Sequence, residues 1–139
     1  PRRAVAGVGV GARPPLRGES PTTSRWADWS DAMSRLAWGI LLVAALFETV
    51  WAVNLEYADG FSNLRASVVV VVAMALSVGL LAKAVQSLPV GTAYAVWTGI
   101  GAVGTAALGI VLFDEPVTAA RLACIGTIVA GVVGLQLTA

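Results

Sequence analysis

The chain has 139 residues, 58% of them hydrophobic and only 12% charged, with a formal net charge of +1. A soluble domain carries about 25% charged residues, so this chain cannot cover a water-facing surface, and its near-neutral balance gives no clustered basic face for nucleic acid. With no histidine and a single cysteine, Cys124, it has no His-based triad, His-rich metal site or intramolecular disulfide, so neither an enzyme nor a metal or other cofactor is expected.

Residues 1–32 differ from the rest. They carry Arg2, Arg3, Arg13, Arg17 and Arg25, with Pro14, Pro15 and Pro21, and no hydrophobic period runs through them. Such a composition predicts a disordered or non-native N-terminal extension. The first methionine is Met33, immediately before the apolar sequence, and is expected to be the natural start. A secretory signal is the competing reading, because Arg2 and Arg3 precede an apolar stretch, but Ala, Val and Gly give that stretch little hydrophobic drive.

From residue 33 onward the apolar runs predict a four-helix transmembrane domain over residues 33–139. The spans are expected at about residues 36–55, 66–84, 90–113 and 119–137. Each holds roughly the 20 residues needed to cross the hydrocarbon core at about 1.5 Å per residue. Only helices satisfy the backbone there without water. Glu56, Asp59 and Gly60 break the first pair, residues 86–89 the second, and Asp114-Glu115-Pro116 the third. Trp38, Tyr57 and Phe61 stand where aromatic anchors meet the interface. The short loops make neighbouring helices antiparallel. The fold expected is therefore an all-α membrane protein, a four-transmembrane-helix bundle.

The charge bias of this domain is weak. Arg35 and Lys83 fall on one side, Arg65 and Arg121 on the other. The positive-inside rule then sets no preferred orientation, and two oppositely inserted copies can pair head-to-tail. Arg25 would tip the balance toward an N-terminus inside if the extension is retained.

Glu48 carries the chemistry. It lies near the middle of the first span, where an acidic side chain costs roughly 2.5–3.5 kcal/mol and persists mostly where it faces a cavity. Desolvation penalises the ionised carboxylate, so a proton or an organic cation can neutralise it, but not both together. Competition for one site couples the two fluxes. The alternative is a neutral carboxyl tolerated in a helix contact. Trp51 shares the face of Glu48. In the third span Tyr94, Trp97, Thr98, Gly101 and Thr105 form a polar–aromatic stripe, and Ser77 is the polar residue in the middle of the second span. Rings hold cations on their faces, and hydroxyls orient carboxylates. Packing or interfacial anchoring is the plain alternative for Trp51, Tyr94 and Trp97.

Residues 99–104 match G-x-G-x-x-G but lie inside a membrane span, not between a strand and a helix, so no nucleotide is expected. The glycines allow a bend or a close helix approach. The fourth span carries two stripes of small residues, Ala123-Thr127-Gly131 and Gly126-Ala130-Gly134. They predict a dimerisation helix.

The stretch from Leu88 to Gly104, LPVGTAYAVWTGIGAVG, and the stretch from Phe47 to Val53, FETVWAV, resemble the small multidrug resistance family, in particular its guanidinium-exporter branch. The resemblance covers residues 33–139. It implies a proton-coupled antiporter that alternates access as an antiparallel, dual-topology homodimer in a bacterial-type plasma (inner) membrane. It places substrate and proton binding on Glu48, with Trp51, Ser77, Tyr94 and Trp97 around it. It also places a helix kink at Gly99 and Gly101 and the dimer contact on the fourth helix. Guanidinium suits such a pocket because its parallel N–H groups match a carboxylate. Four positions depart from the family pattern. Ala45 replaces a glycine one turn before Glu48, Glu56 a lysine, and Arg65-Ala66 a small polar residue and proline. The alternative functions are export of quaternary ammonium or lipophilic cations, and a non-transporting membrane subunit, such as half of a heterodimer.

Overall fold

The computed structural model describes residues 21–139, and within them every regular element is a helix: α1 (Pro21–Ala58), α2 (Leu64–Ala84), α3 (Val90–Phe113) and α4 (Ala119–Thr138). All four are long and apolar enough to cross a membrane, over Ser30–Ala58, Leu64–Ala84, Val90–Phe113 and Ala119–Thr138. The four expected spans are thus present, with ends shifted by a few residues except at the start of α1. That helix begins at Pro21 and takes in residues 21–32, part of the segment expected to be disordered. Residues 1–20 of that segment lie outside the described residues, as do Arg2, Arg3 and the candidate signal.

The early start has a local cause. Proline suits the first position of a helix, where its missing N–H is not needed. No glycine or proline then follows until Gly39, and extending an existing helix adds a hydrogen bond for each residue fixed.

The helix ends are set by side chains and turn residues. After α1 the chain reverses through Asp59, Gly60 and Phe61, all at positive φ. Glycine reaches that region without strain and aspartate tolerates it. Asn63 caps α2 by accepting from the Ala66 N–H at 3.4 Å. The turn before Pro89 closes on Ala84, whose carbonyl accepts from the N–H groups of Ser87 and Leu88 at 3.1 Å each. α3 ends where Asp114 turns left-handed at φ 51°. Thr118 caps α4 by accepting from the Arg121 N–H at 3.2 Å.

Helices α1, α2 and α3 pack on one another, and α4 rests on α3. The main core joins Ala37, Leu41, Ala44 and Ala45 of α1 to Ala84, Leu88, Ala93, Val96 and Trp97. Its alanines fit a membrane interior, where small residues let backbones approach and van der Waals contact replaces a hydrophobic drive. A second cluster, Ala58, Ala66 and Val70 with Trp51 against it, closes the end near the first loop. Large residues such as Val68, Val71, Val72 and Leu76 point outward, as lipid-facing residues do. No residue of α4 is buried.

Candidate functional site

The site is built where α1, α2 and α3 meet at mid-span. Ser77 of α2 is fully buried. Its hydroxyl donates to the Ala44 carbonyl of α1 at 2.7 Å and accepts from the Trp97 indole N–H of α3 at 3.0 Å. One side chain therefore ties three helices together, with donor and acceptor both used. Trp97 also meets Tyr94, ring centroids 5.4 Å apart and tilted by 56°. Tyr94 itself stays exposed at 56%.

Glu48 lies one helical turn beyond Ala44, and Gly101 one turn beyond Trp97. The Glu48 carboxylate rests on α3 at Gly101, so closely that a Cβ there would fall on the carboxyl group. The Glu48 Oε2 is buried and has no hydrogen-bond partner. Every other Asp, Glu, Lys or Arg of the four spans lies near a span end. Mid-membrane thus holds a single carboxylate with unspent acceptor capacity.

Trp51 follows one turn later on α1, against the second cluster. Its indole N–H is likewise buried without a partner. The expected site residues therefore divide. Ser77, Trp97 and Tyr94 form one connected chain, and Glu48 adjoins it through the facing turns of α1 and α3. Trp51 lies to the far side of Glu48. Along α3 the expected stripe splits, with Trp97 and Gly101 buried and Tyr94 and Thr98 turned outward.

α3 runs as one helix through the glycines from Val90 to Phe113, and three of them serve close approach to another helix. Gly101 seats Glu48, Gly104 seats Thr49, and Gly99 seats Val132 of α4. Thr49 escaped the sequence reading. It is buried, and its hydroxyl lies 3.3 Å from the Ala45 carbonyl and 3.4 Å from that of Gly101. The signal was present as a hydroxyl residue beside Glu48, but a threonine bonding its own helix is ordinary in an apolar span. Its meeting with α3 depends on helix rotation, which spacing does not fix. Ala45, at the departure from the family glycine, is fully buried in the main core.

The small stripes of α4 are uncovered in the single protomer. Ala123, Gly126, Thr127, Ala130 and Gly131 are exposed, with Gly134 half-buried. A Cβ at Gly126, Gly131 or Gly134 would meet nothing. Among the described residues, no group of three or more His, Cys, Asp or Glu side chains could hold a metal ion.

A planar cation with several N–H groups has what this arrangement lacks. It could donate to the free Glu48 oxygen and lie against an aromatic face. A proton would satisfy the same oxygen, so each excludes the other.

The model of the family described as Small Multidrug Resistance protein matches residues 36–128. The guanidinium exporter of Yersinia pseudotuberculosis serotype I (strain IP32953) is 59% identical over 102 residues, covering 73% of this chain and 98% of its own. That of Escherichia coli (strain K12) is 57% identical over 103 residues, covering 74% and 98%. That of Salmonella typhimurium (strain LT2) is 55% identical over 104 residues, covering 75% and 99%.

Proposed function

The chain belongs to the Small Multidrug Resistance family of membrane transporters, and on that premise we propose that it exports guanidinium or small guanidinyl cations in exchange for protons. The observation that carries the proposal is the buried, unpartnered Oε2 of Glu48 at mid-span. A carboxylate that costs roughly 2.5–3.5 kcal/mol to place there is retained for what it binds.

The coupling follows from single occupancy. Ionised Glu48 takes the cation from the cell interior. After the site opens outward, a proton displaces the cation and returns with the carboxyl group. Guanidinium donates parallel N–H groups to the carboxylate. Ser77 and Trp97 hold the wall beside it, and Tyr94 and Trp51 supply a hydroxyl, an indole N–H and ring faces. A quaternary ammonium ion has no N–H for the free oxygen of Glu48, which ranks multidrug export second.

The working unit in this proposal is a homodimer of oppositely inserted copies in a bacterial inner membrane. Two features support it: the uncovered small residues of α4 and the even split of Arg35 and Lys83 against Arg65 and Arg121. Gly99 and Gly101 are proposed as the flexing points of α3 during the access change.

The test is transport current in proteoliposomes after a guanidinium jump, for the wild type beside Glu48→Gln. A wild-type current that vanishes in the variant supports the proposal. A current with quaternary ammonium but not guanidinium moves the protein to the multidrug reading. No current with either points to an obligate second subunit.

A further inference from the structure

The seat of Glu48 on α3 is one half of a paired notch. Gly101 and Gly104 are three residues apart on one face of α3, and the adjacent residues Glu48 and Thr49 rest on them in order. A Cβ at Gly104 would lie 2.5 Å from Thr49 Oγ1, 3.1 Å from its Cγ2 and 3.4 Å from its Cβ. The Thr49 hydroxyl has a single proton and two carbonyl acceptors, Ala45 in its own helix at 3.3 Å and Gly101 in α3 at 3.4 Å.

From this geometry we propose that Thr49, seated on Gly104, is the positioning residue that sets how deeply the Glu48 carboxylate is held against α3. The bulk of Thr49 fixes the α1–α3 separation at the level of the carboxylate. Its hydroxyl makes that contact reversible. When α1 shifts on α3, the hydroxyl that donated to the Gly101 carbonyl turns to donate to that of Ala45, and no buried hydroxyl is left unsatisfied. Rigidity at rest and freedom to move thus come from the same side chain.

Two readouts test the proposal in the full chain in lipid. The first is the rate at which a hydrophobic carbodiimide labels Glu48, followed by mass spectrometry, which needs no substrate. The second is guanidinium transport, which rests on the function proposed above. Gly104→Ala pushes α1 away from α3. It is expected to speed labelling of Glu48 by about threefold or more and to raise the apparent KM by about fivefold or more, with the maximal rate within about twofold, because small misplacements of a binding group act strongly. Adding Thr49→Ala removes Oγ1 and Cγ2, the two atoms that the new methyl meets most closely, and restores both values. Adding Thr49→Val keeps the bulk and restores neither. The proposal is overturned if Gly104→Ala changes neither readout, if Thr49→Ala gives no recovery, or if Thr49→Val recovers as well. Should Gly104→Ala fail to fold, Thr49→Ala alone decides: α1 settles closer to α3 and labelling slows, whereas unchanged labelling refutes the idea. A wild type without guanidinium current would sink the transport proposal, and the labelling series would still judge Thr49.

Discussion

Replacing Ser77 by alanine removes one oxygen that serves two helices. The hydroxyl donates to Ala44 and accepts from Trp97, and both bonds are buried. Hydrogen bonds inside membranes are worth about 0.6 kcal/mol on average and about 1.7 at most, because the unfolded chain in lipid also finds partners. Two such bonds amount to about 1.2 kcal/mol on that average. The variant also leaves the Trp97 indole N–H buried without an acceptor, and an orphaned donor costs about 1–3 kcal/mol. The expected loss is therefore about 1–3 kcal/mol, read from reversible unfolding in mixed micelles with increasing SDS. Trp97→Phe removes the donor itself. The double variant should then lose less than the sum of the singles, by about 0.6 kcal/mol or more. Strict additivity, or a Ser77→Ala loss below about 0.3 kcal/mol, would refute the view that Ser77 joins the three helices, given that average bond strength.

Three other expectations follow from the same geometry. Gly101→Ala places a methyl group on the Glu48 carboxyl and should cut guanidinium transport by about tenfold or more while the chain still inserts, as measured by current normalised to protein. In the proposed exchange protons and substrate compete for Glu48, so lowering pH equally on both sides should raise the apparent KM for guanidinium. The rise should approach about tenfold per pH unit once the carboxyl is mostly protonated, and a KM independent of pH would contradict single-site competition. A Cβ at Gly131 meets no atom within the protomer and the position is exposed, so Gly131→Leu should leave helix content unchanged while crosslinked dimer is lost. A dimer that survives would move the interface away from α4.

Much of the fold was legible because lipid leaves so few alternatives. The apolar runs after Met33 had the length of spans, and Asp59-Gly60, Pro89 and Asp114 punctuated them where the helices end. The start of α1 was not legible. Arginine, serine and tryptophan at residues 24–29 show no apolar period, yet without a breaker they simply continue the helix. At the site, Glu48 stood out by charge and depth alone. Ser77 and Trp97 were read as pocket residues, and the structure joins them by a hydrogen bond. The outward turn of Tyr94 and Thr98 was hidden, because the α3 stripe is wider than the surface that α1 and α2 cover. Thr49 was missed because its partner lies 52 positions away, and only the packing angle of α1 on α3 brings the two together.

The polar groups inside this bundle are of two kinds, and the division says how a small transporter stays stable while keeping a site ready. Ser77 and Trp97 spend their hydrogen bonds on each other and on backbone, and Thr49 has two carbonyls to choose from. These groups hold helices in register in a medium where an unsatisfied donor is costly. Glu48 Oε2 and Trp51 Nε1 are held back, buried and unpaired, one turn apart on the same face of α1. A buried acceptor and a buried donor left open raise the energy of the empty protein. In the proposed exchange a ligand that fills them lowers that energy, so the free energy of occupancy falls on the step that transport requires. A simple hydrophobic repair would therefore stabilise the bundle and abolish exchange. Glu48→Leu should unfold at higher SDS than the wild type and carry no current. If it proved less stable than the wild type, the carboxylate would be a structural member of the bundle, and its unspent oxygen would have no bearing on transport.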